Sequence, residues 1–332
     1  MDLLLPVLAV VFGLAALVWS ADRFVDGAAA AARLLGVPAL LVGMVVVGFG
    51  TSAPELTVSA ISAWEGNPSI ALGNAWGSNI CNVALILGAA AAVSPLAVRR
   101  ASLRFDLPVL LAATALSWFL LRDGSVSRAD AWLLLGVFAA WLGVSVLLAV
   151  RGRAAGRAAA AEETPGGGLS GRGAAFWTVF GLVVLIVSSR ALVWGAVELA
   201  QALGVSDLVI GLTVVAVGTS LPELASAVAS ARRGEHEFVL GNIVGSNLFN
   251  MLAVVGIANV ISPVTPENGG FSHYVLSRDL PLLAALSMSI MLFGVNWRNP
   301  REPGCVTRPK AVVWVAVFVA YTVLMFLQEG NG

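Results

Sequence analysis

The sequence predicts an all-α membrane protein of ten transmembrane helices, built as two five-helix repeats of inverted topology. Three observations predict it: too little charge for a surface in water, about ten apolar segments of span length, and one long stretch of text that occurs twice. Of the 332 residues, 58% are hydrophobic and only 11% charged, with a mean hydropathy of +0.90. A soluble domain carries about a quarter charged residues. This chain cannot cover itself with charge, so most of its surface must face lipid. The formal net charge is zero and gives no argument for a nucleic-acid partner.

In chain order, the apolar segments fall at roughly 3–21, 37–64, 69–92, 105–121 and 129–150, then 174–191, 207–232, 237–260, 276–293 and 311–328. Each is near the roughly 20 residues that a spanning helix needs. No basic residue precedes the first segment, which is read as a span and not as a cleavable signal. The stretch 151–173, rich in Ala, Gly and Arg, breaks the pattern and reads as a cytoplasmic linker. The domains are therefore 1–150, the linker 151–173, and 174–332.

Residues 42–88 return at 210–256, offset by 168 without a gap, with 20 of 47 positions identical. Gly50-Thr51-Ser52-Ala53-Pro54-Glu55 is answered by Gly218-Thr219-Ser220-Leu221-Pro222-Glu223. Gly77-Ser78-Asn79-Ile80-Cys81-Asn82 is answered by Gly245-Ser246-Asn247-Leu248-Phe249-Asn250. Asp106-Leu107-Pro108 is answered by Asp279-Leu280-Pro281 at an offset of 173. Five spans per repeat is an odd number, so the second copy enters the membrane from the opposite side, an arrangement found in secondary transporters.

The basic residues give an independent reading. With the N-terminus outside, fifteen fall in cytoplasmic loops, and four (Arg122, Arg128, Arg190 and Arg278) fall on the other side. That bias places both termini outside the cytoplasm.

Pro54 lacks an amide hydrogen, and Gly48 and Gly50 precede it, so the second span should break near the bilayer midplane with carbonyls freed around Gly48 and Thr51. Ala216, Thr219, Ser220, Pro222 and Glu223 repeat the arrangement. Gly73 and Gly77 allow a close neighbour, and Ser78 and Asn82, four apart, share a helix face with Asn74 near it. Ser246, Asn250 and Asn242 do the same in the second copy. Oxygen donors with two carboxylates suit a hard cation such as Na⁺ or Ca²⁺ and disfavour zinc or copper. Cys81 and Cys305 are expected to be free thiols, and His236 and His273 to lie in loops without forming a metal cluster.

Some of these residues have plainer uses. Ser and Thr in spans commonly bond a carbonyl four residues back, so Thr51 or Ser52 alone would not define a site. Asn79 and Asn247 serve either as ties between helices or as site residues. Asp106 and Asp279 read as helix starts, and Glu65, Glu235 and Glu237 as solvated loop charges. Glu55 and Glu223 differ, because a carboxylate inside a span is functional by default.

The paired motifs resemble the two alpha repeats of the calcium/cation antiporter superfamily, and in particular bacterial and archaeal sodium/calcium exchangers, including the YrbG-type inner-membrane proteins. The likeness extends over nearly the whole chain. It implies that Glu55 and Glu223 bind Ca²⁺ with oxygens from Thr51 and Thr219. It also implies flanking Na⁺ sites from Ser52, Ser78, Ser220 and Ser246 with the carbonyls of Gly48 and Ala216, and Asn82 and Asn250 lining the centre. Some relatives, among them potassium-dependent exchangers, carry aspartate at the position of Asn250, so asparagine here argues against potassium coupling. Ca²⁺ and Na⁺ are then cargo, no cofactor is expected, and the location is the inner membrane. The alternative is a proton/calcium or other divalent-cation antiporter. For an intramembrane hydrolase using the glutamates as general bases, the sequence lacks paired metal-binding histidines of the His-Glu-x-x-His kind, and a channel would show flux without a counter-ion.

Overall fold

The computed structural model describes residues 3–98, 103–154, 169–204, 216–265, 270–271, 274–297, 299 and 302–329. Helix α1 is Leu4–Leu35, and α2 (Ala39–Thr51) meets α3 (Ala53–Trp64) at a bend of 45°. Then come α4 (Pro68–Val93), α5 (Asp106–Leu121), α6 (Arg128–Ala154) and α7 (Gly171–Ala202). A single turn, Ala216–Gly218, leads into α8 (Leu221–Arg232), followed by α9 (His236–Ile261), α10 (Val275–Gly294) and α11 (Arg308–Glu329).

Among the described residues, seven helices are long and apolar enough to cross a membrane, and the bent pair α2–α3 makes eight. This is a predominantly helical, multi-span membrane protein. Two expected spans fall outside that count. At 16 residues, α5 is about 24 Å long, and the start of the segment 207–232 lies outside the described residues.

Several expectations are corrected. The first and sixth segments do not stop near 21 and 191: α1 and α7 each run for 32 residues. The sequence offers no breaker until Gly36, which closes α1 in the left-handed conformation at φ 60°, with Pro38 just beyond. Asp22 and Asp26, one turn apart on α1, both pair with Arg233, so the charges taken as a loop belong to the helix. Asp279 is not a helix start. It lies inside α10, paired with Arg278 at 2.7 Å and accepting from the Tyr321 hydroxyl at 3.0 Å. A widened π turn, Val275–Asp279, ends at this residue, just before Pro281, which cannot make a helical hydrogen bond. Asp106 does begin its helix. Glu65 is exposed, but Glu235, expected to be solvated, is only 8% exposed. Burial raises the Glu235 carboxyl above its usual range, with the charges of Arg33 and Arg233 opposing.

Helix α6 continues to Ala154, past the expected end of its segment at 150. His236 opens α9 instead of lying in a loop, and His273 is outside the described residues. Both cysteines are free, and Cys305 lies in a strand, Gly304–Val306, paired antiparallel with Leu96–Val98.

Helices α4 and α9 form the centre. The apolar window of α9 is wholly buried, while that of α11 is 11% buried and faces outward. Glycines set the approach. A methyl group at Gly241 would lie 2.5 Å from the Leu40 carbonyl oxygen, and one at Gly48 would lie 2.9 Å from the Ser246 nitrogen, so α2 and α9 touch backbone to backbone. At Gly73 and Gly77, where close packing was expected, no described atom lies within 4 Å of an added methyl group. Helices α1 and α7 are antiparallel: Gly13 meets Leu192, and Gly27 meets Thr178.

Candidate cation site

The site is built at two helix breaks. Ser52 leaves helical geometry at φ −84°, ψ 10°, and Ser220 at φ −93°, ψ 10°. Pro54 and Pro222 follow in the first turns of α3 and α8, where a missing amide hydrogen is harmless. Each break therefore restarts a helix whose third residue is the glutamate. The partial positive end of that helix favours a carboxylate there. Glu55 and Glu223 are each 1% exposed, and neither forms an ion pair among the described residues.

The two halves meet at these acids. Ser52 Oγ, in the first break, donates to Glu223 Oε1 at 3.0 Å. Ser78 Oγ lies 3.5 Å from Glu55 Oε1, at the limit of a hydrogen bond. Among the described residues, Glu55 Oε2 and Glu223 Oε2 are buried without a hydrogen-bond partner, as is Ser220 Oγ. Thr51, fully buried, donates to the Val47 carbonyl at 2.9 Å, the ordinary use of a threonine in a span, and lies 3.3 Å from Asn242 Oδ1. Thr219 is half-buried at the second break, and Ala216 opens the turn before it.

One expectation fails here. The Gly48 carbonyl is not freed, because it accepts from the Ser52 amide at 3.2 Å and from Ser246 Oγ at 3.1 Å. The helix widens through a π segment, Gly43–Gly48, which keeps its carbonyls bonded up to the break.

Asn74 and Asn242 fasten the two acid-bearing turns in the same way. Asn74 Nδ2 donates to the Glu55 carbonyl at 3.1 Å and to Ser59 Oγ at 3.0 Å. Asn242 Nδ2 donates to the Glu223 carbonyl at 3.3 Å and to Ser226 Oγ at 2.9 Å. Sequence reasoning missed Ser59 and Ser226. Their signal was spacing, four and three residues after the acids on the same helix face, but they occupy different positions in the two copies.

Asn82 and Asn250 lie at π segments, Asn82–Leu87 and Phe249–Val254, which nothing in the sequence announces. Asn82 Nδ2 donates to Asn247 Oδ1 at 3.0 Å, and Asn250 Nδ2 donates to Asn79 Oδ1 at 3.1 Å. At the offset of 168 these two bonds exchange, so α4 and α9 cross antiparallel with like residues facing. Asn82 Oδ1 and Asn250 Oδ1 are left buried without a donor. Together with the two Oε2 atoms they make four unsatisfied oxygen acceptors. Buried acceptors normally have donors, and a hard cation satisfies such a set. Among the described residues, no group of three or more His, Cys, Asp or Glu could hold a metal in the manner of a resident zinc site.

Comparison with known proteins agrees. The family described as "Sodium/calcium exchanger protein" matches residues 5–147 and 173–327. CaxA of Alkalimonas amylolytica, a candidate antiporter, is 38% identical over 333 residues, spanning 98% of this chain and 99% of its own. Inner membrane protein YrbG of Escherichia coli (strain K12) is 37% identical over 329 residues, 98% of either chain. The solved structure of the sodium-calcium exchanger NCX_Mj, soaked with zero Na⁺ and Ca²⁺, aligns at a TM-score of 0.81 and 28% identity, covering 97% of this chain and 99% of that one. With both broken helices inside the matched segments, the chain belongs to the sodium/calcium exchanger protein family.

Proposed function

We propose that the chain is a sodium/calcium antiporter working by alternating access, with Glu55 and Glu223 sharing one cation site near the bilayer midplane. In this reading ten helices form two inverted halves, 1–150 and 174–332, joined by a cytoplasmic linker at 151–173. Both termini lie outside the cytoplasm, in the inner membrane. The antiparallel crossings of α1 with α7 and of α4 with α9 support the inversion. The observation that carries the proposal is the pair of buried carboxylates, one from each half, each with an oxygen that no donor satisfies.

The physics of exchange follows from charge. Two bare carboxylates resist passage through the midplane, since insertion scales assign roughly 2.5–3.5 kcal/mol to each buried charge. One Ca²⁺ neutralises the pair, and so do two Na⁺. The empty dianion is held on one side, while loaded forms switch between inward and outward access, which makes exchange obligatory. Thr51 and Thr219 add oxygens to the Ca²⁺ site. Ser52, Ser78, Ser220 and Ser246, with the carbonyls of Gly48 and Ala216, serve Na⁺. The Gly48 carbonyl does so only after giving up a present donor. No cofactor is required.

Purified protein in liposomes tests this. An outward Na⁺ gradient is expected to drive ⁴⁵Ca²⁺ uptake, while K⁺ or H⁺ gradients of the same size drive little. Uptake driven equally by a proton gradient would transfer the reading to a proton/calcium antiporter, and uptake with no counter-ion gradient would point to a channel. Ser52→Ala and Ser220→Ala are expected to shift the sodium dependence of that flux several-fold and its calcium affinity less. The reverse pattern would remove the serines from the sodium sites.

A further inference from the structure

Asn79 is bonded to a residue assigned to the cation, and its two hydrogen bonds give it a definite task. A carboxamide has one acceptor end and one donor end. An asparagine facing a cation is useful only with its oxygen forward. Nothing in an isolated Asn82 or Asn250 decides which end faces the ion.

For Asn250 the second asparagine of the first motif decides it. Asn79 Nδ2 donates to the main-chain carbonyl of Asn247 at 3.1 Å. A carbonyl can only accept, so the Asn79 nitrogen is fixed there and its Oδ1 is turned toward Asn250. Asn250 must meet that oxygen with Nδ2, at 3.1 Å, which turns Asn250 Oδ1 the other way, into the position where it is buried and unpartnered. In the other pair Asn247 Oδ1 accepts from Asn82 Nδ2 at 3.0 Å, but Asn247 Nδ2 is buried without a partner among the described residues, so no bond of its own fixes the direction of that amide. All four side chains are at most 1% exposed, so water does not compete for these bonds.

We infer that Asn79 is a positioning residue that locks the Asn250 carboxamide, from the opposite repeat, with its oxygen toward the transported cation. The inference rests on the proposed cation site and deepens it. Asn79 does not touch the ion. Without it the Asn250 amide can turn its NH₂ group, a like-signed dipole end, toward the cation, and affinity falls while the carboxylates remain.

The two bonds made by Asn79 separate this role from that of a simple helix tie. Asn79→Asp keeps the acceptor for Asn250 and loses the donor to the Asn247 carbonyl, whereas Asn79→Leu loses both. Purified full-length protein in detergent is titrated with ⁴⁵Ca²⁺ and with ²²Na⁺, and the same variants are assayed for flux in liposomes. Asn79→Leu is expected to weaken cation binding at least tenfold, raising the KM for flux while its maximal rate stays within about twofold. Asn79→Asp is expected to recover affinity to within about threefold. Unchanged affinity in Asn79→Leu, or Asn79→Asp as weak as Asn79→Leu, overturns the inference. If Asn79→Leu does not fold, Asn79→Ala, which also loses both bonds, is compared with Asn79→Asp on the same criteria. Failure of the unmodified protein to bind Ca²⁺ would count against calcium as the cargo, and the Na⁺ titration would still read the orientation of the Asn250 amide.

Discussion

Glu55→Gln or Glu223→Gln is expected to abolish Na⁺-driven ⁴⁵Ca²⁺ uptake in liposomes, by at least about a hundredfold, while leaving a folded, membrane-inserted protein. On the proposed function, each substitution removes one of the two buried charges available to a divalent ion. It also places an NH₂ group where an unpartnered Oε2 now stands. The folded state should not suffer. Both carboxylates are 1% exposed and have no basic partner among the described residues, and an unpaired buried charge opposes folding. Thermal unfolding in detergent without added cations should therefore give a Tm equal to or above that of the unmodified protein. Added Ca²⁺ should raise Tm only in the latter, since a ligand stabilises the state that binds it. Retained flux in either variant would remove that residue from the site.

Gly245→Val is expected to do the opposite and prevent assembly. A side chain at Gly245 would overlap the Met44 carbonyl oxygen, and its Cβ would lie 2.6 Å from Met44 Cα. These are backbone atoms of α2, which cannot step aside as the tip of a flexible side chain can. Overpacking a core commonly costs about 1–3 kcal/mol, and here the whole of α2 must retreat from the most buried helix of the molecule. The expected result is little or no monodisperse protein on size exclusion. Gly143→Ala, on α6 with no described atom within 4 Å of the added methyl, serves as control. It should be neutral, or stabilising by up to about 1 kcal/mol through helix propensity. A monodisperse Gly245→Val protein with normal Tm would show that the α2–α9 seam has slack.

Much of this was legible in the sequence because duplication makes each copy a test of the other. One Pro-Glu pair in an apolar run is ambiguous; two at a fixed offset, each followed by Gly-Ser-Asn, mark a site. The break at Ser52 followed from Pro54. What stayed hidden is instructive. The π segments have no composition of their own, so the bonded state of the Gly48 carbonyl could not be foreseen. Asp22 and Asp26 looked like a loop because charge normally ends a span, yet Arg233, over two hundred residues away, gives them a partner at a helix surface. Arg278 and Asp279 looked like boundary residues for the same reason, and they neutralise each other inside α10. Pattern reading prices each charge alone, while the fold prices pairs. The roles of Asn79 and Asn247 stayed open because the direction of an amide depends on what lies behind it.

The two 32-residue helices have a final consequence. At 1.5 Å per residue each is about 48 Å long, against roughly 30 Å of hydrocarbon. They must slant or protrude, and the best angle depends on how thick the surrounding acyl layer is. Turnover should therefore vary with lipid chain length even at constant headgroup: reconstitution in phosphatidylcholines from C14 to C22 is expected to give a bell-shaped rate, and a flat profile would show that these helices do not sense bilayer thickness.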